Sequence, residues 1–424
     1  MAMQFAKEEI VAFDKVLEGF QDALVISKEF KTFQLDNTMA ERVGNTIWRP
    51  QPYIAQSFTG VDQTANFGRV YIQPVVPSTL SYSHAVPLTL SPTELRDQLQ
   101  RETLGKSAMQ RLASDINVDC SNLAALTGSL VVKRTVGASG FDDLAAVDTA
   151  MNRVGIDMNF RKIFLSSADY NSMASNLANR SYVADIAKVA YEKARIPTVA
   201  NFDAFKLDYA YRLIAATGTG ATVTGANQRY IPSATTLDAN GGRHNVDNRY
   251  QNLPVTVGGG VIKVGDAFTI AGVNEVHHIT KLDTGTLKTF RVTGIISGAG
   301  GTGVIQISPP IISADSVPTD PELQMRNTVA APAAGAPITF LNTVSAPVNP
   351  FWQEDCFEIM PGRYMPAENS GMPTMIATTD SGIQVMMTRQ GAINDLTTKY
   401  RWDVFYGLVN LQPEMSGVML FNQT

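Results

Sequence analysis

The chain is organised around the stretch 91-SPTELRDQLQRETLGKSAMQRLASDINVDCSNLAALTG-128. Ser91 and Glu94 match the S-x-x-E capping box of a helix N-terminus, and Pro92 takes the first helical position, where its missing N–H costs nothing. No further proline occurs before Gly128, a natural left-handed stop, so the stretch predicts about 36 helical residues, roughly 54 Å long. Leu95 and Leu99 begin an apolar stripe, and it continues at spacings of three and four through Met109, Leu112, Ile116, Cys120 and Leu123. We therefore predict one long spine helix that is polar around much of its circumference.

The composition limits the class of protein. A chain of 424 residues is too long for one compact core, so we expect two or three domains. The net charge of −5 argues against bulk nucleic-acid binding, which usually requires a basic surface. Two cysteines, Cys120 and Cys356, are too few for a disulfide framework or a cysteine-rich zinc site, and they favour a reducing compartment. The first residues lack a signal-peptide pattern, and no run of about 18 apolar residues occurs, so we expect neither export nor a membrane span.

A second amphipathic helix is predicted near the N-terminus, between about residues 8 and 30. Phe13, Leu17, Phe20 and Leu24 share one face, whereas the acidic and basic residues of this stretch fall elsewhere. Two interpretations remain open at this point: a helix packed on its own domain, or an arm that packs on a neighbouring subunit.

Residues 42–90 predict a projecting hairpin. Two strand-like segments, 46–48 and 70–72, flank the polar stretch 59–68. Three prolines exclude a central strand position and suit an exposed edge, namely Pro74, Pro77 and Pro87. A long hairpin with little apolar content of its own requires another surface on which to lie.

Strands and helices alternate from residue 130 to 217, which indicates a compact α+β layer. The predicted elements are strands at 130–132, 163–165 and 206–215, and helices at 141–154, 167–177 and 183–194, with Ser167 as a cap. Mixed patterning returns after residue 351 and ends in a strand at 402–411.

Between Gly218 and Pro347 the chain is rich in Gly, Thr, Val and Ile, with hardly a helix signal. Short strands separated by Gly-rich turns predict a small all-β barrel or sandwich, with strands at 255–257, 268–270, 290–292 and 304–307. Residues 330–337, rich in Ala and Pro, predict an exit linker. The simplest organisation is a β module inserted into an α+β domain whose parts lie on both sides.

Two D-[ST]-G triplets, at Asp283 and Asp380, are the strongest candidates for catalysis, because aspartic proteases pair two such aspartates. Neither follows an apolar strand, and D-x-G is also ordinary turn chemistry. Asp238 begins a calcium-like loop that lacks its later ligands, and the adjacent His277 and His278 would point to opposite faces of a strand. We predict no enzyme activity, no metal site and no cofactor.

Segments spread over nearly the whole chain resemble the coat proteins of short-tailed, double-stranded DNA bacteriophages of the lambdoid podovirus group. They are 45-NTIW-48, 95-LRD-97, 128-GSLV-131, 245-NVDNRY-250, 271-AGV-273, 351-FW-352, 390-QG-391 and 406-YG-407. The order and spacing of these segments, rather than any single motif, carry the resemblance.

The resemblance implies an α+β fold of the Hong Kong 97 capsid type with an inserted all-β barrel domain. The implied domains are an N-terminal arm at 1–33, an E-loop with P-domain strands at 34–90, the spine helix of the P-domain at 91–128, a first part of the A-domain at 129–217, the inserted I-domain at 218–347, and an A-domain and P-domain return at 348–424.

The resemblance also implies contact residues between subunits. In this family a loop of the inserted domain bridges capsomers across local two-fold axes, and the matching stretch here is 237–250. The candidate contact residues of this loop are Asp238, Arg243, His244, Asp247 and Arg249. The four charged residues would pair with the symmetry mate, whereas His244 and the nearby glycine pair alter the tip. The candidate contacts of the N-terminal arm are Phe13, Leu17, Phe20 and Leu24.

The implied function is that of a major capsid protein, which self-assembles into the icosahedral head of a phage, enclosing double-stranded DNA. Assembly would pass through a scaffolded procapsid that expands on maturation. The implied partners are further copies in hexamers and pentamers, a scaffolding protein and a portal protein, with only weak contact to packaged DNA and none to membrane. The protein would be located in the virion capsid and, during assembly, in the cytoplasm of the bacterial host. Two alternatives remain from the residues, a bacterial surface adhesion β-protein and an aspartic protease using Asp283 and Asp380.

Overall fold

A computed structural model describes residues 13, 17, 19–20, 24–33, 45–52, 54–94, 98–178, 196, 198–315, 317–364, 372–379 and 382–424. The predicted helix at 183–194 and the triplet residue Asp380 lie outside these ranges.

The described part of the chain contains α-helices, short 3₁₀ segments and many strands. The α-helices are α1 (Gln98–Thr127), α2 (Phe141–Val154), α3 (Ser167–Ala178) and α4 (Asp320–Met325), and the 3₁₀ segments are Ser27–Glu29, Thr64–Asn66 and Pro413–Met415. The strands in the first half are β1 (Lys31–Thr32), β2 (Thr46–Pro50), β3 (Val75–Leu90), β4 (Leu130–Lys133), β5 (Arg161–Ser166), β6 (Phe202–Leu207), β7 (Arg212–Leu213), β8 (Thr222–Val223), β9 (Thr235–Leu237), β10 (Arg243–Asn245) and β11 (Gln251–Val257). The remaining strands are β12 (Ala267–Val276), β13 (Asp283–Ser297), β14 (Gly301–Ser308), β15 (Ile338–Phe340), β16 (Ala346–Pro347), β17 (Asn349–Gln353), β18 (Phe357–Pro361), β19 (Thr374–Thr378), β20 (Gln384–Gly391), β21 (Thr398–Asn410) and β22 (Ser416–Leu420).

One compact unit comprises residues 1–47, 78–121 and 357–409. Its sheet has the order β1-β18-β21-β20-β19, with β3 added antiparallel along β21. Pro87 lies in β3 opposite Arg401, and among the described strands only β21 pairs with β3 at this position. The edge position predicted for this proline is therefore confirmed.

The spine helix α1 carries its predicted apolar stripe into the core of this unit. Met109, Leu112, Ile116 and Cys120 are all buried. The capping box upstream is also confirmed, because the Ser91 amide donates to Glu94 Oε2 at 2.8 Å and the Glu94 amide donates to Ser91 Oγ at 3.4 Å. Residues 95–97 lie outside the described ranges, so the described helix begins at Gln98.

The end of the spine helix corrects one expectation. Gly128 follows the last helical residue but does not adopt a left-handed backbone. A glycine is needed there for a different reason, since a Cβ at this position would lie 3.0 Å from the backbone of Gly417. Close approach of two chain segments, not helix termination, explains the residue.

The second compact unit comprises residues 48–77, 122–356 and 410–424. It contains a five-stranded sheet in the order β4-β22-β17-β5-β6, whose central strand β17 is buried at every position. Helices α2 and α3 contribute to its core through Leu144, Val147, Met151 and Met173, which cluster with Phe351 of β17. The chain thus leaves this sheet after β6 and returns to it at β17.

Two details of this layer differ from expectation. Ser166, not Ser167, caps α3, because the Asp169 amide donates to Ser166 Oγ at 3.2 Å, while the Ser167 hydroxyl donates to the Leu207 carbonyl. The strand predicted at 206–215 is two strands, β6 and β7, separated by a turn.

The segment 218–347 forms a closed six-stranded barrel. Its strands follow the order β15-β12-β13-β14-β11-β8, and β8 returns to the β15 segment through bonds from the Val223 amide to Ala336 (3.0 Å) and from the Ile338 amide to Ala221 (2.8 Å). Apolar side chains from these strands fill the interior, including Leu253, Phe268, Phe290, Val292, Ile305 and Ile307. The α+β fold class with an inserted all-β barrel is therefore confirmed.

The exit linker predicted at 330–337 is wrong, because its last residues close the barrel. Ala336 is buried in the barrel core, and the carbonyl of Pro337 accepts a hydrogen bond from the Ala271 amide. Proline has no backbone N–H but keeps a carbonyl that can accept a hydrogen bond, so it can pair at the edge of a strand. An Ala- and Pro-rich composition therefore does not exclude such a pairing.

Candidate functional site

The antiparallel hairpin β9–β10 projects from the barrel segment, and all six of its strand residues are exposed. Asp238 organises its tip by accepting bonds from the amides of Asn240 (2.9 Å) and Gly242 (2.7 Å) and by pairing with His244 Nε2 at 2.9 Å. The bond to His244 and these amides lower the pKa of the Asp238 carboxyl. The tip is therefore shaped by its own residues before any partner arrives.

Arg243 presents the free cation of this hairpin. Its side chain is exposed, and within the described part of the chain it forms no ion pair, whereas Asp238 and His244 pair with each other. Three of the five predicted contact residues, Asp238, Arg243 and His244, thus lie together on the exposed hairpin.

The other two predicted charges lie at the base of the hairpin. Asp247 accepts two bonds from the guanidinium of Arg249, at 2.9 and 2.6 Å, and Arg249 Nη1 donates to the carbonyl of Asn410 at 2.6 Å. Burial alone would lower the pKa of the Arg249 guanidinium, but the bonds to Asp247 and the charge interactions with Tyr250 and Asp247 together raise it. Asp247 and Arg249 are therefore engaged within the subunit in this structure.

Asn248, between these two charges, fixes the hairpin base to the chain before it. Its side-chain oxygen accepts from the Ser233 amide and the Tyr230 hydroxyl, and its amide nitrogen donates to the Ser233 carbonyl at 2.9 Å. An exposed tip thus stands on a buried, fully bonded base, which limits the directions in which the tip can point.

The candidate residues of the N-terminal arm are covered by their own chain where they are described. Phe13, Phe20 and Leu24 are buried, and Leu17 is half-buried. The structure therefore gives these side chains an intramolecular packing partner, and their contact with a neighbouring subunit remains a prediction.

The projecting segment 51–74 differs from the predicted hairpin in two ways. The second strand begins at Val75 rather than at Val70, and apart from one 3₁₀ turn the described residues between β2 and β3 form no regular element. The tip is not uniformly polar, because Val61 and Phe67 are almost fully exposed and Arg69 lies over the Phe58 ring at 4.7 Å. An exposed apolar tip is a typical protein contact surface.

Sequence reasoning missed two residues that hold this segment. Helix α4 places Asp320 and Gln324 against it, where they bond the amides of Val70 and Ile72, both at 3.0 Å. A signal was present, since Thr319 and Glu322 match a capping box with Pro321 inside it, which marks a helix start in a region otherwise assigned to strands.

Of the two aspartates considered for catalysis, the structure describes one. Asp283 is the exposed first residue of β13, and its carboxylate accepts a hydrogen bond from the Gly285 amide at 2.8 Å. Asp380 is outside the described residues. Among the residues that the structure describes, no cluster of His, Cys, Asp or Glu could hold a metal ion. In the same residues, no helix has the length and apolar content needed to cross a membrane.

Comparison with known proteins identifies a family. The family model described as P22 coat protein, gene protein 5, matches residues 1–422. Among solved structures, the chain is similar to the capsid of cyanophage P-SCSP1u, with 8% identity, 94% of this chain and 88% of that chain covered, and a TM-score of 0.43. It is similar to the CUS-3 coat protein I-domain, with 39% identity, 29% of this chain and 95% of that chain covered, and a TM-score of 0.23. The head structure of Helicobacter pylori bacteriophage KHP40 matches with 9% identity, 94% and 89% coverage, and a TM-score of 0.38.

Proposed function

We propose that copies of this chain, which belongs to the P22 coat protein family, meet at local two-fold axes through the hairpin β9–β10. The chain is a major capsid protein that forms the phage head. The protein is a structural coat protein and not an enzyme, so the adhesion and protease alternatives are set aside. It assembles with copies of itself into a multimeric shell and is located in the virion. The finer organisation that we propose is a shell of hexamers and pentamers, built with a scaffolding protein and a portal in the host cytoplasm, that expands as DNA enters.

The charge pattern of the hairpin tip supports a two-fold contact. A two-fold axis brings one surface patch against a second copy of itself, so the patch must be complementary to itself. The exposed hairpin carries an acid, Asp238, and a base, Arg243, that forms no ion pair among the residues that the structure describes. Rotation by 180° would bring each charge towards its opposite in the symmetry mate.

The base of the hairpin has a different task in this proposal. Asp247 and Arg249 are bonded to each other and to the Asn410 carbonyl, so they would set the direction of the tip rather than contact the neighbour. The tip of the projecting segment, with Val61 and Phe67, and the N-terminal arm would supply further contacts within the shell. Net charge of −5 makes strong adhesion to the packaged DNA unfavourable.

The substitution Arg243→Glu tests the proposal, because it makes the tip wholly acidic and thus repulsive to its own copy. We expect the free energy of unfolding of the free subunit, measured in urea, to stay within about 0.5 kcal/mol of the parent, since the side chain is exposed. Sedimentation of assembly mixtures with scaffolding protein should show far fewer closed shells.

The matched control is Arg243→Lys, which keeps the charge and should assemble at the parent yield. Closed shells from Arg243→Glu at the parent yield would contradict the two-fold contact.

A further inference from the structure

The two legs of the projecting segment, 51–54 and 70–74, lie next to helix α4 without forming a strand ladder with each other. The Ile72 amide donates to Gln324 Oε1 at 3.0 Å, and Gln324 Nε2 donates back to the Ile72 carbonyl at 3.0 Å. The side-chain amide of Gln324 thus bonds both backbone groups of one residue, as a peptide group of a neighbouring strand would.

Gln324 also reaches the other leg. Its Nε2 donates to the Ile54 carbonyl at 3.3 Å, so one side chain bonds both legs of the loop. Asp320, one helical turn earlier and therefore on the same face, accepts the Val70 amide at 3.0 Å and pairs with Arg69 at 3.5 Å. Apart from the Asp320–Arg69 ion pair, these bonds from Gln324 and Asp320 go to the loop backbone. They therefore fix the path of the loop independently of its side chains.

The helix that carries these two residues is itself held in place. The Thr319 amide donates to Glu322 Oε2 at 2.7 Å, the Glu322 amide donates to Thr319 Oγ1, and Arg229 lies 3.2 Å from the buried Glu322 carboxylate. Gln324 is 1% exposed with the loop in place, so its side-chain amide is shielded from bulk solvent. The capping box and the Arg229 contact therefore fix the helix that presents this donor and acceptor to the loop.

One leg has a further long-range bond, because the Gln51 side chain donates to the Leu411 carbonyl. The turn at the tip is held by the Asn66 amide bonded to Gln63 and by Asp62 bonded to Thr64. The legs themselves are joined at their start, by the Gln51 amide bonded to the Pro74 carbonyl at 2.9 Å. The direction of the tip, with its exposed Val61 and Phe67, therefore depends on where the legs are held.

We propose that Asp320 and Gln324 are positioning residues for shell assembly. They form a latch between the inserted barrel domain and the projecting loop of the same subunit, and the latch holds the loop in the direction that lets its tip reach a neighbour. The assembly part of this inference rests on the proposed function, whereas the latch itself is a property of the free subunit.

The test uses the full-length chain with Gln324→Met, which keeps the side-chain length but removes the donor and acceptor. In the free subunit we expect amide hydrogen exchange of residues 70–73 to become at least about tenfold faster, as when a bonded amide is released. With scaffolding protein present, the yield of correctly closed shells should fall.

The matched control is Gln251→Met. Gln251 is another buried barrel glutamine whose side chain bonds backbone groups, accepting from the Ile311 amide at 2.7 Å and donating to the Gln228 carbonyl, but it bonds no residue of the loop. This variant should weaken the barrel while leaving exchange at 70–73 unchanged. Asp320→Asn, which keeps an acceptor for the Val70 amide, should retain protection there that Asp320→Ala loses.

Unchanged exchange at 70–73 in Gln324→Met would overturn the latch. Faster exchange together with the parent yield and size of shells would overturn the positioning role. Failure of the parent chain to form shells would instead contradict the proposed function, and the exchange result would still decide whether the latch exists.

Discussion

The inserted barrel and the projecting loop belong to the same compact unit, yet they satisfy their backbone hydrogen bonds in opposite ways. The barrel closes on itself, from β8 back to the β15 segment, around a core of buried apolar side chains. The loop 51–74 has no such core, and its amides at Val70 and Ile72 bond to side chains of α4. Its apolar residues at the tip face outward.

This contrast separates two sources of stability within one chain. A closed barrel leaves no strand edge unpaired and buries apolar area internally, so its stability comes from contacts within the barrel. A loop whose amides are bonded by another element and whose apolar side chains are exposed gains stability only from surfaces outside itself. Substitutions in the two regions should therefore change different measurements.

The largest effect is expected for Phe268→Ala in the barrel core. Phe268 is buried and stacks on Phe290 at 5.7 Å between ring centroids, so the truncation leaves a cavity and should cost about 3–5 kcal/mol. The measurement is urea unfolding of the full chain, monitored by hydrogen exchange of barrel amides. A loss below about 1 kcal/mol would show that the barrel does not depend on this core.

A pH effect should follow from His278, in the turn between β12 and β13. Burial lowers the pKa of this imidazole to about 4, although Glu414 opposes the shift, while Lys281, Lys288 and His277 reinforce it. In the unfolded chain His278 takes up a proton near its ordinary pKa of 6.5, whereas in the folded chain it stays neutral down to about pH 4. The folded state should therefore lose stability as the pH drops from about 6.5 to 4.

His278→Gln should flatten this pH dependence in urea unfolding between pH 7 and pH 5. Burial would raise the pKa of Glu414, but Lys288 and His278 hold it below its ordinary value of 4.5. The contribution of Glu414 to stability is therefore lost only below about pH 4.5, so its pH range can be separated from that of His278. Equal slopes for the parent and His278→Gln would contradict the assignment.

The smallest effect on the free subunit is expected for Phe67→Ser at the tip of the loop. The ring is 88% exposed, so the free energy of unfolding should change by less than about 0.5 kcal/mol. Shell yield should nevertheless fall, because the substitution removes apolar contact area offered to a neighbour. Phe67→Leu, which stays apolar, serves as the control, and equal yields for Ser and Leu would show that the tip makes no apolar contact.

Local patterns predicted the elements whose structure depends on their own residues. The stripe from Met109 to Cys120 and the strands of the barrel are periodic in sequence, and both are present. Residues 70–72 have strand propensity but no strand, because their partners are side chains of Asp320 and Gln324, about 250 positions later. Strand propensity does not indicate which part of the chain will supply the hydrogen-bond partners of a segment.

The same limit applies to the predicted contact loop. The family resemblance, and not residue spacing, implied a charged contact loop here, and the structure places Asp238 and Arg243 on an exposed hairpin. Burial of Arg249 depends on the Asn410 carbonyl, 161 positions away, so sequence alone could not distinguish this anchoring charge from the tip charges.

Hydrogen exchange of residues 55–69 in the free subunit and in assembled shells tests the central claim most directly. We predict rapid exchange at the loop tip in the free subunit and strong protection in shells, with the barrel core amides protected in both states as an internal reference. Equal exchange at the tip in the two states would contradict the view that this loop is stabilised by neighbouring subunits.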